Sequence, residues 1–380
     1  MDTDSTVTAM QCSSFSFEVI STDSSTSARR GRISTSRGVI ETPVFMPVGT
    51  RAVVKTLTSN ELEGLGAEIL LCNTYHLALR PGHDLVSDMG GLHEFMKWKR
   101  PILTDSGGFQ VYSLSKFNKI LDDGVQFRSH IDGKLYFFTP ELVMDIQEKL
   151  DADIAMVFDE CIPYPADRSY CEESVKKTLR WAKRSRDAVS NGERAVFGII
   201  QGGSYRDLRS YCLNELEEME FEGMAIGGLS VGEPKEEMIS ILHDIVPTID
   251  AKKPHYLMGV GTPDDILEAV SAGVDMFDCI IPTRQARNGA LFTWQGKMII
   301  KNARFAQDKK PIDENCNCFT CRTYSRSYLR HLYQSRETLA LRLNTIHNLY
   351  FYFEFINEIR KSIGERRFEK FASGIKGRWN

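Results

Sequence analysis

The feature that most limits how this chain can fold is a series of eight short apolar runs between residues 44 and 281, several of which end on a polar side chain or a glycine. The runs are Val44 to Met46, Ile69 to Cys72 ending at Asn73, Ile102 and Leu103 leading to Asp105, and Ile154 to Phe158 before Asp159. They continue with Val196 to Ile200 before Gln201, Met224 to Ile226 before Gly227 and Gly228, Tyr256 to Val260, and Met276 to Ile281 around Asp278. Near-continuous apolar runs of this length fit parallel strands buried on both faces. Helix-start signals lie between many of them: Thr58 before Ser59, Asn60 and Glu61; Thr139 and Pro140 before Glu141; Thr262 and Pro263 before Asp264 and Asp265. Each sets an N-cap side chain ahead of early acidic residues, and two add a proline in the first turn. Eightfold alternation of strand and helix predicts a closed (β/α)8 TIM barrel rather than an open doubly wound sheet. In such a barrel the chemistry sits where the strands end.

With 380 residues and 42% hydrophobic content, the chain has room for a barrel of about 250 residues plus additions. The alternation breaks twice. Residues 106–138, with Tyr112, Phe117, Phe127 and the turn Asp132-Gly133, predict an inserted hairpin-bearing loop after the third strand. Residues 289–345 predict a second insert, with Leu291 to Trp294 and Met298 to Ile300 ahead of a cysteine cluster. Residues 1–28 contain no Lys or Arg and are rich in Ser and Thr, which suggests a loose leader. Residues 1–14 are set apart as flexible, leaving a barrel domain at 15–380 with a metal-binding subdomain at about 289–350.

No run approaches the roughly 18 apolar residues of a membrane helix, and no secretory pattern opens the chain. Nine cysteines, six of them isolated, do not form a secreted disulfide framework, so a reducing cytoplasm is expected. The formal charge is −4, yet residues 301–380 carry 16 Lys and Arg against 8 Asp and Glu. That asymmetry points to contact with a nucleic acid, beside the plainer reading of a solvated basic helix pair.

Cys316, Cys318 and Cys321 place three thiols within six residues of a polar stretch. Zn²⁺ takes four soft or borderline ligands in a tetrahedron, and His331 or His347 could supply the fourth. Three Cys and one His leave no open position for water, so the expected role is structural.

Asp105 lies in Thr104-Asp105-Ser106-Gly107-Gly108-Phe109-Gln110. The paired glycines permit close backbone approach, and Phe109 offers a face for a flat base. A carboxylate in this setting is otherwise a turn cap. Asp278 is flanked by apolar residues, with a salt bridge to Arg284 or Arg287 as its structural alternative. Two carboxylates across a barrel mouth suit glycosyl chemistry, one attacking the anomeric carbon while the other protonates the leaving group. Asp159, Gln201 and the N–H groups of Gly227 and Gly228 match the edge of a guanine, whose N–H groups need acceptors and whose carbonyl needs donors.

Together TDSGGFQ at 104–110, FDEC at 158–161, IIQGG at 199–203, GGLSVGE at 227–233 and DCIIPTRQARNG at 278–289 resemble the tRNA-guanine transglycosylase family, from about Phe15 to the C-terminus. The resemblance implies that Asp278 is the nucleophile on a guanosine at the anticodon wobble position and that Asp105 is general acid, then base. It implies base recognition by Asp159, Gln201, Gly228 and Leu229, stacking between Phe109 and Met258, and contacts from Arg284 and Arg287 to the uridines of a UGU-type anticodon loop. It also implies a structural Zn²⁺ on Cys316, Cys318, Cys321 and His347, which demotes His331, and a homodimer. Cys161 and Val231 match the bacterial type, which inserts 7-aminomethyl-7-deazaguanine (preQ1); queuine is the bulkier alternative. Ser230, Phe109 and Gln285 depart from the commonest residues of the family at their positions. A non-catalytic tRNA-binding subunit of the same fold should lack the acid pair. A barrel glycoside hydrolase leaves the thiols and the basic tail unexplained.

Overall fold

The computed structural model describes residues 15–114, 118–189 and 194–379, within which eight parallel strands close into a barrel. They are β1 (Val44–Gly49), β2 (Leu70–Cys72), β3 (Ile102–Thr104), β4 (Ile154–Met156), β5 (Ala195–Ile200), β6 (Gly223–Ile226), β7 (His255–Leu257) and β8 (Met276–Cys279). Neighbours follow chain order, and β8 closes on β1 by pairing Met276 with Val44 and Phe277 with Phe45. Every one of the eight apolar runs is a barrel strand. β1 and β5 are buried at each position, which is why they lack polar alternation.

The helix starts follow the cap signals. Thr58 accepts from the Glu61 N–H at 3.3 Å while the Glu61 carboxylate accepts from the Thr58 N–H at 2.9 Å, a reciprocal capping box for the helix Ser59–Leu65. Thr139 and Thr262 accept from Leu142 and Asp265, both at 3.2 Å, with Pro140 and Pro263 filling the first turn.

One expectation is corrected, and another holds with more structure than expected. Residues 16–28 are not a loose leader: Ser16–Thr22 pairs with Arg29–Thr35, which pairs with Gly38–Thr42, in an antiparallel sheet. The first strand is mostly exposed, so its Ser- and Thr-rich composition mimics a solvated segment. Its neighbour anchors the sheet beneath the barrel. Arg29 makes a buried ion pair with Asp275, just before β8, and donates to the carbonyls of Ala251 (2.8 Å) and Lys253 (2.7 Å), just before β7. Residues 1–14 lie outside the described residues. The insert after β3 is more than a hairpin, being a helix Gly108–Leu114 followed by a three-stranded sheet, Asn118–Ile120, Val125–Arg128 and Leu135–Phe138. The Asp132-Gly133 turn joins the last two strands, with Gly133 at φ +73°.

After β8 come the helix Ile281–Arg287 and a hairpin, Ala290–Thr293 with Gly296–Ile299. The long helix Thr338–Gly364 then returns to the barrel. Its Asn348 accepts from the Phe292 N–H (3.1 Å) and donates to Pro282 and Ala290 (both 3.0 Å). Tyr352 packs on Phe45 of β1. Leu291, Ile300, Ile312, Leu329 and Leu343 form a second buried cluster apart from the barrel core. Among the described residues no helix is long and apolar enough to cross a membrane.

Candidate active site

A cavity of about 710 Å³ opens at the C-terminal ends of the strands. Its wall carries Asn73 after β2, Asp105 after β3, Asp159 after β4, Gln201 after β5, the segment Gly227 to Val231 after β6, Met258 after β7 and Asp278 in β8. Phe109 and Arg287 also line it, and Phe109 is half exposed, free to present a ring face. Arg284, three residues before Arg287 on the same helix, is not on this wall.

Asp278 Oδ1 accepts from the Tyr256 hydroxyl at 2.6 Å and from the Gly259 N–H at 2.7 Å. Oδ2 has no protein partner among the described residues, and neither Arg284 nor Arg287 pairs with the carboxylate, so the salt-bridge alternative is absent. Burial raises the pKa of Asp278 while the two donors pull it down.

Asp105 is fully enclosed by donors. Oδ1 accepts from the Thr74 N–H at 2.9 Å, and Oδ2 accepts from the Asn73 amide and from Gln110 Nε2 at 2.9 Å. Burial is the stronger influence and, with the Asp278 charge adding to it, lifts the Asp105 pKa to about 6 against those hydrogen bonds. One carboxylate is thus a ready proton carrier near neutrality, and the other presents a bare oxygen.

Asp159 accepts from Ser106 Oγ and from Gln201 Nε2, both at 2.8 Å, and its pKa is raised by burial against those two bonds. Gln201 Oε1 is buried with no protein partner. Gly227 and Gly228 are required here, because a Cβ at Gly227 would lie 2.7 Å from Gln201 Nε2 and one at Gly228 would overlap Oε1. Gly228 also has φ +62°, a left-handed conformation that favours glycine. A Cβ at Gly108 would lie 2.6 Å from the Asp159 carbonyl, so the glycines of the Asp105 segment serve close approach as well.

The rim is basic. Arg51, Lys55 and Arg287 line the cavity with no carboxylate pairing any of them among the described residues. Burial, then Arg287 and Arg51, depress the Lys55 pKa; burial and Arg284 depress that of Arg287. His76 on the same wall is held neutral, its pKa lowered to about 4 by burial and then by Arg51, His130 and Lys55.

Cys316, Cys318, Cys321 and His347 converge within 4.8 Å of one another and can hold a metal ion. His347 Nδ1 lies 3.7, 3.6 and 3.3 Å from the three sulfurs. Bonds of about 2.3 Å to sulfur and 2.1 Å to nitrogen in a tetrahedron separate the two by about 3.6 Å, so the donor set fits. His347 Nε2 lies 2.8 Å from the Phe292 carbonyl and donates to it, leaving Nδ1 as the ligand atom. His331 is not part of the cluster.

The family model described as "Queuine tRNA-ribosyltransferase" matches residues 23–380. The chain belongs to the queuine tRNA-ribosyltransferase family. A relative from Caldanaerobacter subterraneus subsp. tengcongensis is 56% identical over 356 residues, covering 93% of this chain and 95% of its own. One from Thermodesulfovibrio yellowstonii is 57% identical over 346 residues, 90% of each chain, and one from Moorella thermoacetica is 53% identical over 364 residues, 96% and 98%. All three carry the name of the family model.

In this family member the support beneath the two carboxylates escaped sequence reasoning. Asn73 and Gln110 lie in or beside the sequence motifs but carry no signal of their own, and Tyr256 opens an apolar run in which nothing marks its hydroxyl. Two-residue alternation from the inward-facing Met258 places Tyr256 on the same side of β7, and that periodicity could have found it.

Proposed function

We propose that this chain is a tRNA-guanine transglycosylase that exchanges the wobble guanine of tRNA for preQ1 through a covalent RNA–enzyme intermediate. The observation that carries the reading is the facing of Asp278 and Asp105 across one cavity, with Asp159, Gln201 and the Gly228 turn at its base.

Asp278 Oδ2 attacks C1′ of the ribose. The C1′–N9 bond breaks, a C1′–Oδ2 ester forms, and Asp105 gives its proton to the departing guanine. The incoming base then returns a proton to Asp105 and displaces the ester. Two inversions at C1′ give retention, as in retaining glycosidases. The Tyr256 and Gly259 donors on Oδ1 keep the nucleophile ionised and aimed. Asp159 accepts the N–H groups of the purine, while the Gln201 amide and the Gly228 N–H serve its carbonyl. Leu229 closes the pocket, and Phe109 and Met258 take the ring between them. Arg284 and Arg287, with Arg51 and Lys55, suit the flanking nucleotides of the anticodon loop, whose target nucleoside must leave the stack to reach this depth.

Cys161 and Val231 on the wall support preQ1 over queuine. Zn²⁺ is the ion that best suits three thiolates and an imidazole; it holds the insert together and takes no part in the exchange. A homodimer accords with the exposed Phe319 and Tyr328 rings, which flank the half-buried Tyr324 ring on the insert surface. A cytoplasmic setting accords with the buried free thiols of Cys72, Cys161, Cys171, Cys212 and Cys279.

The test is incubation with tRNA carrying labelled guanine at the wobble position. Wild-type protein and preQ1 should release label, and Asp278→Asn should abolish both release and a denaturant-resistant RNA adduct. Persistence of either removes Asp278 as the nucleophile. Competition between preQ1 and queuine in the same assay fixes the incoming base.

A further inference from the structure

Arg209 lies on the helix Arg206–Glu217 after β5, is fully buried, and pairs with no carboxylate among the described residues. A buried cation without a counter-ion is costly and has to be compensated. Here the charge is spread over four main-chain carbonyls at the ends of two adjacent strands. Nε donates to Gly203 at 2.7 Å, Nη1 to Gly227 at 3.1 Å and to Ile200 at 3.4 Å, and Nη2 to Gly228 at 3.3 Å. Gly202 lets the helix come this close, since a Cβ there would lie 2.7 Å from both Cγ and N of Arg209.

The consequence is geometric. Across a trans peptide, the C=O of one residue and the N–H of the next point in opposite directions. Drawing the Gly227 and Gly228 carbonyls onto Arg209 turns the N–H groups of Gly228 and Leu229 away from it. Both residues line the cavity, and neither N–H has a protein acceptor among the described residues. The far end of the same segment is pinned separately, with Glu233 accepting from the N–H groups of Ser230 and Val231.

We propose that Arg209 is a positioning residue for base recognition, fixing two peptide planes so that their N–H groups meet the carbonyl oxygen of the purine. The inference rests on the cavity being the guanine site. Lysine cannot take its place, because a single ammonium lacks the planar fork that bridges two strand ends.

The test compares guanine with 2-aminopurine, which has C–H in place of the carbonyl and therefore also lacks the N1–H; the site's response to the variant is read as the change in the ratio between the two bases. Binding of the fluorescent 2-aminopurine is titrated directly and guanine by competition, and exchange into tRNA is followed at saturating base. Wild-type protein should prefer guanine strongly. Arg209→Gln should weaken guanine by on the order of tenfold or more, leave 2-aminopurine within about twofold, and keep kcat within a few fold. Unchanged guanine affinity, or equal weakening of both bases, overturns the proposal. Should Arg209→Gln fail to fold, Arg209→Lys, which keeps the charge, is judged by the same guanine to 2-aminopurine ratio. Wild-type protein that binds no guanine would instead sink the functional reading itself.

Discussion

The Tyr256 hydroxyl donates to Asp278 at 2.6 Å on the oxygen that also receives the Gly259 N–H, so the other oxygen is left without a protein donor among the described residues. Tyr256→Phe removes a hydrogen bond that favours the ionised carboxylate. The Asp278 pKa should rise, and the acid limb of the kcat/KM profile should move to higher pH. A loss of roughly 10- to 100-fold at neutral pH is expected from one hydrogen bond to a charged group. A profile that falls in height without moving would assign Tyr256 to packing.

Asp105 predicts the opposite limb. Its pKa of about 6 lies above the ordinary carboxylate value because burial and the Asp278 charge disfavour its ionised form. Guanine release needs the protonated acid, so kcat/KM for release, which reports the free enzyme, should decline as pH rises through about 6. Asp105→Asn should slow release and flatten that limb; a variant keeping the wild-type limb would show that another group titrates.

Gly228→Ala tests the base pocket without touching an acid. The added Cβ overlaps Gln201 Oε1, and alanine at φ +62° costs about 1–2 kcal/mol. The amide must move off the Asp159 carboxylate it now contacts. KM for the incoming base should rise at least tenfold while affinity for RNA stays put. Unaltered base KM, measured by incorporation of labelled guanine, would place the purine elsewhere.

The barrel was legible because burial on both faces of a strand erases polar alternation, so the sequence advertises each strand as a plain apolar run. The strand ends were legible for a related reason, since Asp105, Asp159 and Gln201 interrupt those runs where a core side chain would be expected. What stayed hidden depends on contacts between distant segments. The Ser16–Thr22 strand is exposed and carries no burial signal, and its place is set by Arg29 reaching Asp275. Arg209 looks like an ordinary surface cation of an amphipathic helix, and only its carbonyl partners on two strands reveal it. The fourth metal ligand was ambiguous between His331 and His347, because the choice depends on how a 27-residue helix lies against the cysteine loop.

Arg287 sits on the cavity wall with its Nη1 donating to the Thr283 carbonyl at 2.8 Å, the rest of its guanidinium having no protein acceptor among the described residues. Arg287→Ala should raise KM for tRNA about tenfold and leave KM for preQ1 unchanged. Comparing the salt dependence of RNA binding separates two roles. A phosphate contact lowers the slope of log K against log salt by about 0.7–0.9, whereas a base contact changes affinity at nearly constant slope. An unchanged KM for tRNA would remove Arg287 from the interface.

His347 joins the thiol cluster to the elements beside the cavity rim. His347 takes part in the cluster by Nδ1 and holds the Phe292 carbonyl by Nε2, while Asn348 next to it fixes the hairpin and the Pro282 carbonyl at the start of the Arg284–Arg287 helix. Purified protein should contain one Zn²⁺ per chain. Cys318→Ala should lose it and lower the melting temperature, and tRNA affinity should fall further than affinity for free guanine, because no residue of the cysteine-bearing insert lines the cavity. Acid should release the metal as thiolates and imidazole are protonated, and metal content followed against pH should drop together with RNA binding. Metal-free protein with wild-type melting temperature and tRNA affinity would show that the four ligands serve another end.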